Sequence, residues 1–484
     1  MTHAPRWAAL SAFGLLAVAS LQARAGMELN GVVATENYIG VRHGDFYNFR
    51  NANWFQLRIK ANPAEEVAAI ANLELRNTNF TDVRLVDDLW DRGTVEPVSW
   101  RVNEAYVDYY GFLLDNDWVK LDLRAGKQVL GWGEADGFNP TNPLDALDLE
   151  NPLEFKARVG NVGLKAALTL GDEWVTLEGV VAPRYLPSVL PVDLFLGEDP
   201  LQSPLMPAFD LSALEDPNLS LVLLPPGAEQ LRTLTPATQV DNLLGGARVR
   251  WTLWDFEWTV SYAHAREPVP SPRAVAGTAT FRNPGDEGCP AGGPTCVVVA
   301  VDDVELAYPK IDVVGFNLRG ALGDVGVWAE VALILPEGEE TRITVASALG
   351  SRTQTLTAVE DEPYTKWVLG AEYTIPGGYY LNLQWIHGFF VEMTGHRLHD
   401  YLFVSFRKAV LNDRLRFELN LGGELDTTQG RDGLAGLLNA LISYKPFDGS
   451  EVAIGYLMAR GEDGTSLQLF EALDQLFLRF RADF

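Results

Sequence analysis

Basic side chains recur in this sequence at every second position. Arg58 and Lys60 stand in NWFQLRIKA, Lys120 and Arg124 in WVKLDLRAG, and Arg248 and Arg250 in ARVRWTLW. Arg414 and Arg416 follow in RLRFELNLG, Arg479 and Arg481 in FLRFRADF, and Arg407 in VSFRKAV. Apolar residues fill the places between them, as Phe55, Leu57 and Ile59 do in the first segment. Successive side chains of a strand point to opposite faces, so this spacing gathers the cations on one side. Guanidinium groups in a row can grip carboxylates bidentately. At a narrow point, a ring of such charge selects ions of the opposite sign. Acids of the same parity, among them Glu74, Glu104, Asp108, Asp122, Glu178, Glu257, Glu330, Glu372 and Glu418, offer the competing outcome of neutral, solvated pairs.

A second concentration of chemistry lies in RAGKQVLGWGEADGFNPTNPLDALDLENPLEF, residues 124–155. Gly126, Gly131 and Gly133 free the backbone to turn, and Pro140, Pro143 and Pro152 stiffen its later course. Trp132, Glu134, Asp136, Asp145 and Asp148 are the candidates for a loop that turns inward and narrows a pore. Clustered oxygen ligands would also suit a structural calcium ion within 134–154, although the spacing of a calcium-binding helix–loop–helix is absent.

Elsewhere, Cys289 and Cys296 stand in the Gly/Pro-rich DEGCPAGGPTCV, where a disulfide pinning a loop tip is expected. His396 and His399 in TGHRLHD have a spacing a metal could use, yet on an outer loop they read as surface histidines. His387 has no G-x-S-x-G or comparable nucleophile signature to partner it. No catalytic residue and no metal site is assigned, and an enzyme is not expected.

Eighteen alternating segments must position these residues: 28–36, 53–61, 67–77, 101–110, 117–127, 158–170, 173–183, 241–254, 255–265, 310–322, 324–334, 364–375, 378–389, 401–411, 413–424, 434–445, 450–460 and 472–484. Most have the length that a tilted strand needs to cross a bilayer. Every second connection is short, as in ANPAEE, GDE, WD, LGD, IPGG and LND. The others are long and irregular, at 78–100, 128–157, 184–240, 266–309 and 335–363. A sandwich or propeller has no reason to sort its connections this way. The pattern predicts an all-β, eighteen-stranded antiparallel transmembrane barrel with short turns on the periplasmic side and long loops outside.

The bulk numbers agree. Hydrophobic residues make up 47% of the chain yet never run long enough for a spanning helix. Residues 1–25 read as a signal peptide, with Arg6, an apolar run and Ala23-Arg24-Ala25 before Gly26, leaving 26–484 as one barrel domain. A net charge of −27 argues against nucleic acid as a partner. Much of the acid falls in loops such as FLGEDP, VDDVE and AVEDEP.

Arg124-x-Gly126-Lys127-Gln128, Trp132-Gly133-Glu134 and, downstream, Asn142-Pro143-Leu144-Asp145 together resemble a motif of Gram-negative outer-membrane porins similar in plan to the alginate-export barrels. That resemblance implies an electropositive pore, and its extreme form a path for a polyanion. The final strand, with its terminal Phe484, resembles the signal read by the barrel-assembly machinery. The expected function is an outer-membrane channel for passive or facilitated diffusion of small solutes, anions among the candidates; a barrel closed by its loops and serving adhesion or a partner protein is the alternative. Expected partners are outer-membrane lipid, lipopolysaccharide and the solute, with a monomer or a trimer both open.

Overall fold

The computed structural model describes residues 26–42, 45–77, 98–112, 114–116, 118–150, 156–171, 174–189, 220–224, 231–238, 242–283, 296–348, 350–395, 398–426, 433–462, 465, 467 and 474–484. The signal-peptide expectation for 1–25 therefore lies outside the described residues.

Eighteen strands form the barrel wall: β1 (Met27–Arg42), β2 (Asp45–Ala64), β3 (Val67–Asn77), β4 (Val98–Tyr109), β5 (Val119–Gln128), β6 (Asn161–Leu170), β7 (Val175–Ala182), β8 (Leu244–Leu253) and β9 (Phe256–Arg266). The second half is β10 (Lys310–Leu322), β11 (Val325–Pro336), β12 (Tyr364–Ile375), β13 (Tyr379–His387), β14 (Asp400–Val410), β15 (Leu415–Asp426), β16 (Gly433–Tyr444), β17 (Ser450–Gly461) and β18 (Gln475–Asp483). Each pairs antiparallel with the next. Pairing of β1 with β18, Glu36 opposite Arg479, closes the ring and removes the edges. Each of the eighteen predicted segments falls on one of these strands. The two-residue strand Asp115–Asn116 belongs to the turn between β4 and β5.

Local sequence explains the short turns. Trp254 and Asp255 alone join β8 to β9, at φ 55° and 61°, the left-handed pair that a two-residue hairpin needs. Outward positions carry Val249, Val260, Phe316, Leu333, Leu369, Leu402, Phe417, Ile442, Ile454, Leu478 and Phe480, all exposed. Trp118, Trp174, Trp254, Tyr379 and Tyr444, exposed beside the short turns, edge this apolar band. A belt so apolar, with aromatic margins, matches hydrocarbon rather than water. Phe484 stacks outside on Phe55, its ring lying over Gly31, where a Cβ would stand only 2.2 Å away.

Two expectations are corrected. The segments 266–309 and 335–363 are not irregular. Ser271–Arg282, Cys296–Ala307, Glu339–Ser347 and Gly350–Val359 join Ser220–Leu224 and Leu231–Leu234 in a separate six-stranded sheet at the long-loop end. Rich in Thr, Ala and Val, these strands do not sustain the alternation of charge against hydrocarbon that marks the wall. The second correction is a register shift in β4, where Asn72 faces Glu104 but Leu73 faces Val102. The bulge exchanges the two faces, turning Arg101 inward and Trp100 and Val102 outward.

Candidate functional site

The chain beyond β5 turns into the barrel and crosses it. Leaving Gln128, it reaches β7 through Trp132, β11 through residues 134–141, and returns to β3 and β4 through Asp148 and Glu150. Each motif residue holds a stage of this path. Arg124 grips Asp108 on β4 bidentately, Nε to Oδ1 at 2.6 Å and Nη2 to Oδ2 at 3.1 Å. Gly126, at φ +132°, lets β4 pass, since a Cβ there would meet the Ala105 carbonyl at 2.3 Å. The Gln128 amide, 1% exposed, donates to the Gly163 carbonyl at 3.1 Å. Trp132 is 2% exposed, and its indole N–H donates to Glu178 Oε1 at 2.6 Å.

Glu330 on β11 pins the loop to the far wall. This buried carboxylate accepts the main-chain N–H of Glu134 and of Ala135, the Asn139 amide at 2.9 Å and the Thr141 hydroxyl at 3.1 Å. Four donors aimed at one carboxylate offset the cost of burying it. Asp145 closes the loop on itself, accepting from the N–H of Leu130 and of Gly131 and from the Asn142 amide, each at 2.9 Å. Burial pushes its carboxyl up, against those three donors. The N-P-x-D run thus serves as a clasp.

Asp148 completes the crossing by bridging two arginines: Arg76 Nη2 at 3.0 Å and Arg101 Nη2 at 2.6 Å. Arg76 also reaches Glu150 at 2.6 Å, and Arg101 reaches Glu74 at 3.2 Å. Burial pushes Asp148 up, but Arg76 and Arg101 together outweigh it and hold this carboxyl below the usual range. Glu150 goes the other way, burial raising it more than Arg76 lowers it. The remaining loop acids go to separate donors, Glu134 to Arg319 at 3.4 Å and Asp136 to Lys156. Burial, then the charge of Glu257, raises Glu134.

The basic ladder divides by depth. At mid-height its members are paired: Arg124 with Asp108, Arg248 with Glu178 at 3.2 Å, and Arg479 with Glu36. Toward the short turns the pairs lengthen and open to solvent, as in Lys60–Glu28 at 3.9 Å, Lys120–Asp122 at 3.7 Å and Arg250–Glu257 at 3.7 Å. Arg481 meets Asp483 at 2.8 Å. Arg58, Arg407 and Arg416 have no ion pair among the described residues, Arg407 lying over the Tyr380 ring at 4.4 Å. Arg414 is not on the wall: it sits exposed in the turn after Leu411–Asp413, whose positive φ values end β14.

Toward the long loops the interior is packed rather than wet. Trp132, Leu144, Tyr185, Leu244, Ala263, Ile311, Val313, Ala332, Ile334, Tyr364 and Leu398 form one buried cluster. Phe138, Val368, Ile386, Phe389, Tyr401 and Leu467 form a second, with the Phe138 and Phe389 rings 5.5 Å apart. His399 belongs here, 8% exposed between Glu392 and Glu424, not on the surface. Nothing in H-x-x-H announced that burial, because Glu424 comes from another part of the chain. His396 and Cys289 lie outside the described residues, while Cys296 is buried and disulfide-bonded.

A family model described as "Protein of unknown function (DUF1302)" matches residues 45–334. No curated protein matches the chain. Among solved structures it is similar to OccAB4 of Acinetobacter baumannii, at 8% identity and a TM-score of 0.49 over 95% of this chain and 97% of that one. It is also similar to the outer membrane protein OpdK of Pseudomonas aeruginosa, at 9% identity and a TM-score of 0.44 over 94% and 98%. OmpF of Salmonella typhi, in complex with daunomycin, matches at 10% identity and a TM-score of 0.39 over 95% and 97%.

Proposed function

The chain belongs to the DUF1302 family, whose description names no activity, and from the lumen itself we propose a bacterial outer-membrane channel for diffusion of small polar solutes. The observation that carries this reading is the infolded loop, held across a closed barrel by Glu330 on one side and by Arg76 and Arg101 on the other. A loop fixed at both walls sets the width of a path, and charges beside it set which solutes pass. The apolar belt with aromatic margins supports membrane residence, with the short turns periplasmic.

The solutes are small rather than polymeric. The mid-height arginines are spent on Asp108, Glu178 and Glu36, which leaves no continuous basic track for a polyanion among the described residues. Arg58, Arg407 and Arg416 remain to meet a carboxylate, but Glu372, Glu418 and Glu451 share their parity, so anion preference is weak. Reconstitution of the mature chain in a planar bilayer tests this. Steady conductance with a small reversal potential across a KCl gradient is expected.

The packed long-loop half favours one second reading, a barrel closed by its own loops that serves adhesion or a partner protein. A folded barrel without conductance would decide for it.

A further inference from the structure

Loop 388–399 and the wall beside it gather a set of donors that plays no part in holding the 129–150 crossing. Glu392 comes from the loop, His399 from its end, Glu424 from β15 and Tyr401 from β14. All four are buried, Glu424 at 0% and Tyr401 at 1% exposure.

Each carboxylate has one oxygen fixed by main chain. Glu392 Oε2 accepts the N–H of Phe389 at 2.7 Å and of His399 at 3.2 Å, and Glu424 Oε2 accepts the N–H of Leu467 at 2.7 Å. The other oxygen of each is turned to a common centre. Imidazole Nδ1 of His399 lies 2.7 Å from Glu424 Oε1 and 3.6 Å from Glu392 Oε1. The Tyr401 hydroxyl donates to Glu392 Oε1 and stands 3.5 Å from Glu424 Oε1. One nitrogen and two carboxylate oxygens, all within 4.8 Å of one another, converge from one loop and β15. Such convergence, with the outer oxygens held by amides, is how a protein orients ligands for a metal.

We propose that Glu392, His399 and Glu424 bind one divalent transition-metal ion, with zinc the best fit. Imidazole and carboxylate are both zinc ligands, whereas calcium and magnesium favour larger, all-oxygen shells. Ligand atoms about 2.0–2.2 Å from zinc stand further apart than a hydrogen-bonded pair, so the His399–Glu424 contact opens slightly on binding. The fourth position faces the Tyr401 hydroxyl. Lys366, also buried, lies near both Glu267 and Glu392 in the packed interior. The ion would tie loop 388–399 to β14 and β15, and so steady Phe389 against Phe138 of the crossing loop.

The test uses the full-length barrel in detergent, stripped with chelator, and reads metal rather than conductance, so its failure is separate from failure of the channel reading. Calorimetric titration with zinc is expected to give one ion per chain. Cobalt in its place is expected to give the intense visible bands of a low-symmetry, four-coordinate site. His399→Gln and Glu424→Gln should each weaken zinc by more than about 100-fold, beyond the loss that an outer-shell partner causes, whereas His264→Gln and His387→Gln should leave it unchanged. A wild-type barrel, folded by its heat-dependent gel mobility, that takes up no stoichiometric zinc or cobalt overturns the proposal without any variant. Binding that survives His399→Gln, or that is lost instead with His396→Gln, overturns it as well.

Discussion

The two halves of the barrel interior solve one problem in opposite ways. Both place charged side chains on the inward face of an alternating strand. In the long-loop half, Glu36, Glu330 and Glu424 are wholly buried, and each is met by fixed partners. In the short-turn half, Lys60, Lys120, Arg250 and Arg481 are about two-fifths exposed and pair with neighbouring acids in reach of solvent. A buried charge must be satisfied by preorganised donors, so it acts as a cross-link whose loss is costly. An exposed pair is worth about 0–1 kcal/mol and can exchange its partner for a passing solute. Inward parity alone therefore does not make a residue pore-lining; depth decides.

The largest expected effect comes from testing that contrast directly. Glu330→Ala strands two main-chain N–H groups, an amide and a hydroxyl against the far wall. It should cost about 3–5 kcal/mol in denaturant unfolding of the reconstituted barrel and raise conductance by releasing the crossing loop. Glu451→Ala, inward but in the short-turn half, should change unfolding by no more than about 0.5 kcal/mol. Equal costs would collapse the distinction between the halves.

Asp148→Asn comes next, at about 2 kcal/mol, below a full buried-pair loss because Glu74 still holds Arg76 and Arg101. Its pH dependence has a definite sign. The folded state binds a proton at Asp148 less readily than the unfolded chain does. This contribution is therefore complete above the ordinary carboxylate range and is lost as pH falls through the lowered folded value. Unfolding curves of wild type and variant, compared from neutral to acid pH, should converge toward the acid end.

The solvent that each residue meets decides how much of the fold and the site is legible in the sequence. The strands are readable because water and hydrocarbon impose a contrast at every second residue, as Arg248 and Val249 show. The loop at 128–157 is readable as infolded from its glycines, prolines and Trp132. The inward turn of Arg101 is not, because a bulge adds one residue without marking it. The packed half is hidden too: Val313, Ala332 and Ile334 face inward among apolar outward neighbours, so the alternation fades where the lumen is dry. His399 becomes a buried ligand candidate only through Glu424, brought to it by the pairing of β14 with β15.

Trp132→Phe sharpens the comparison at smaller amplitude. Phenylalanine is too short to keep the contact that the far edge of the indole makes over Gly246, and it removes the N–H that Glu178 accepts. Glu178 retains Arg248 and Lys165, so the cost should be about 1–2 kcal/mol, hydrogen bond and small cavity together. A larger loss would mean that the indole, rather than the ion pairs, holds Glu178 in place.

The smallest effect on stability should carry the clearest effect on transport. Arg407 has no ion pair among the described residues, and its guanidinium lies over Tyr380. Replacing it with Gln leaves no buried acid unpaired, so unfolding should move by less than about 0.5 kcal/mol. The nearest inward acid, Glu418 directly across on β15, then gains influence over the path, and the reversal potential should shift toward cations. Arg124→Gln makes the opposite case. It strands buried Asp108, so it should destabilise the barrel before it alters selectivity. If Arg124→Gln shifts the reversal potential with no loss of stability, the mid-height pairs belong to the path, and the boundary between the two halves lies nearer the long loops than their burial indicates.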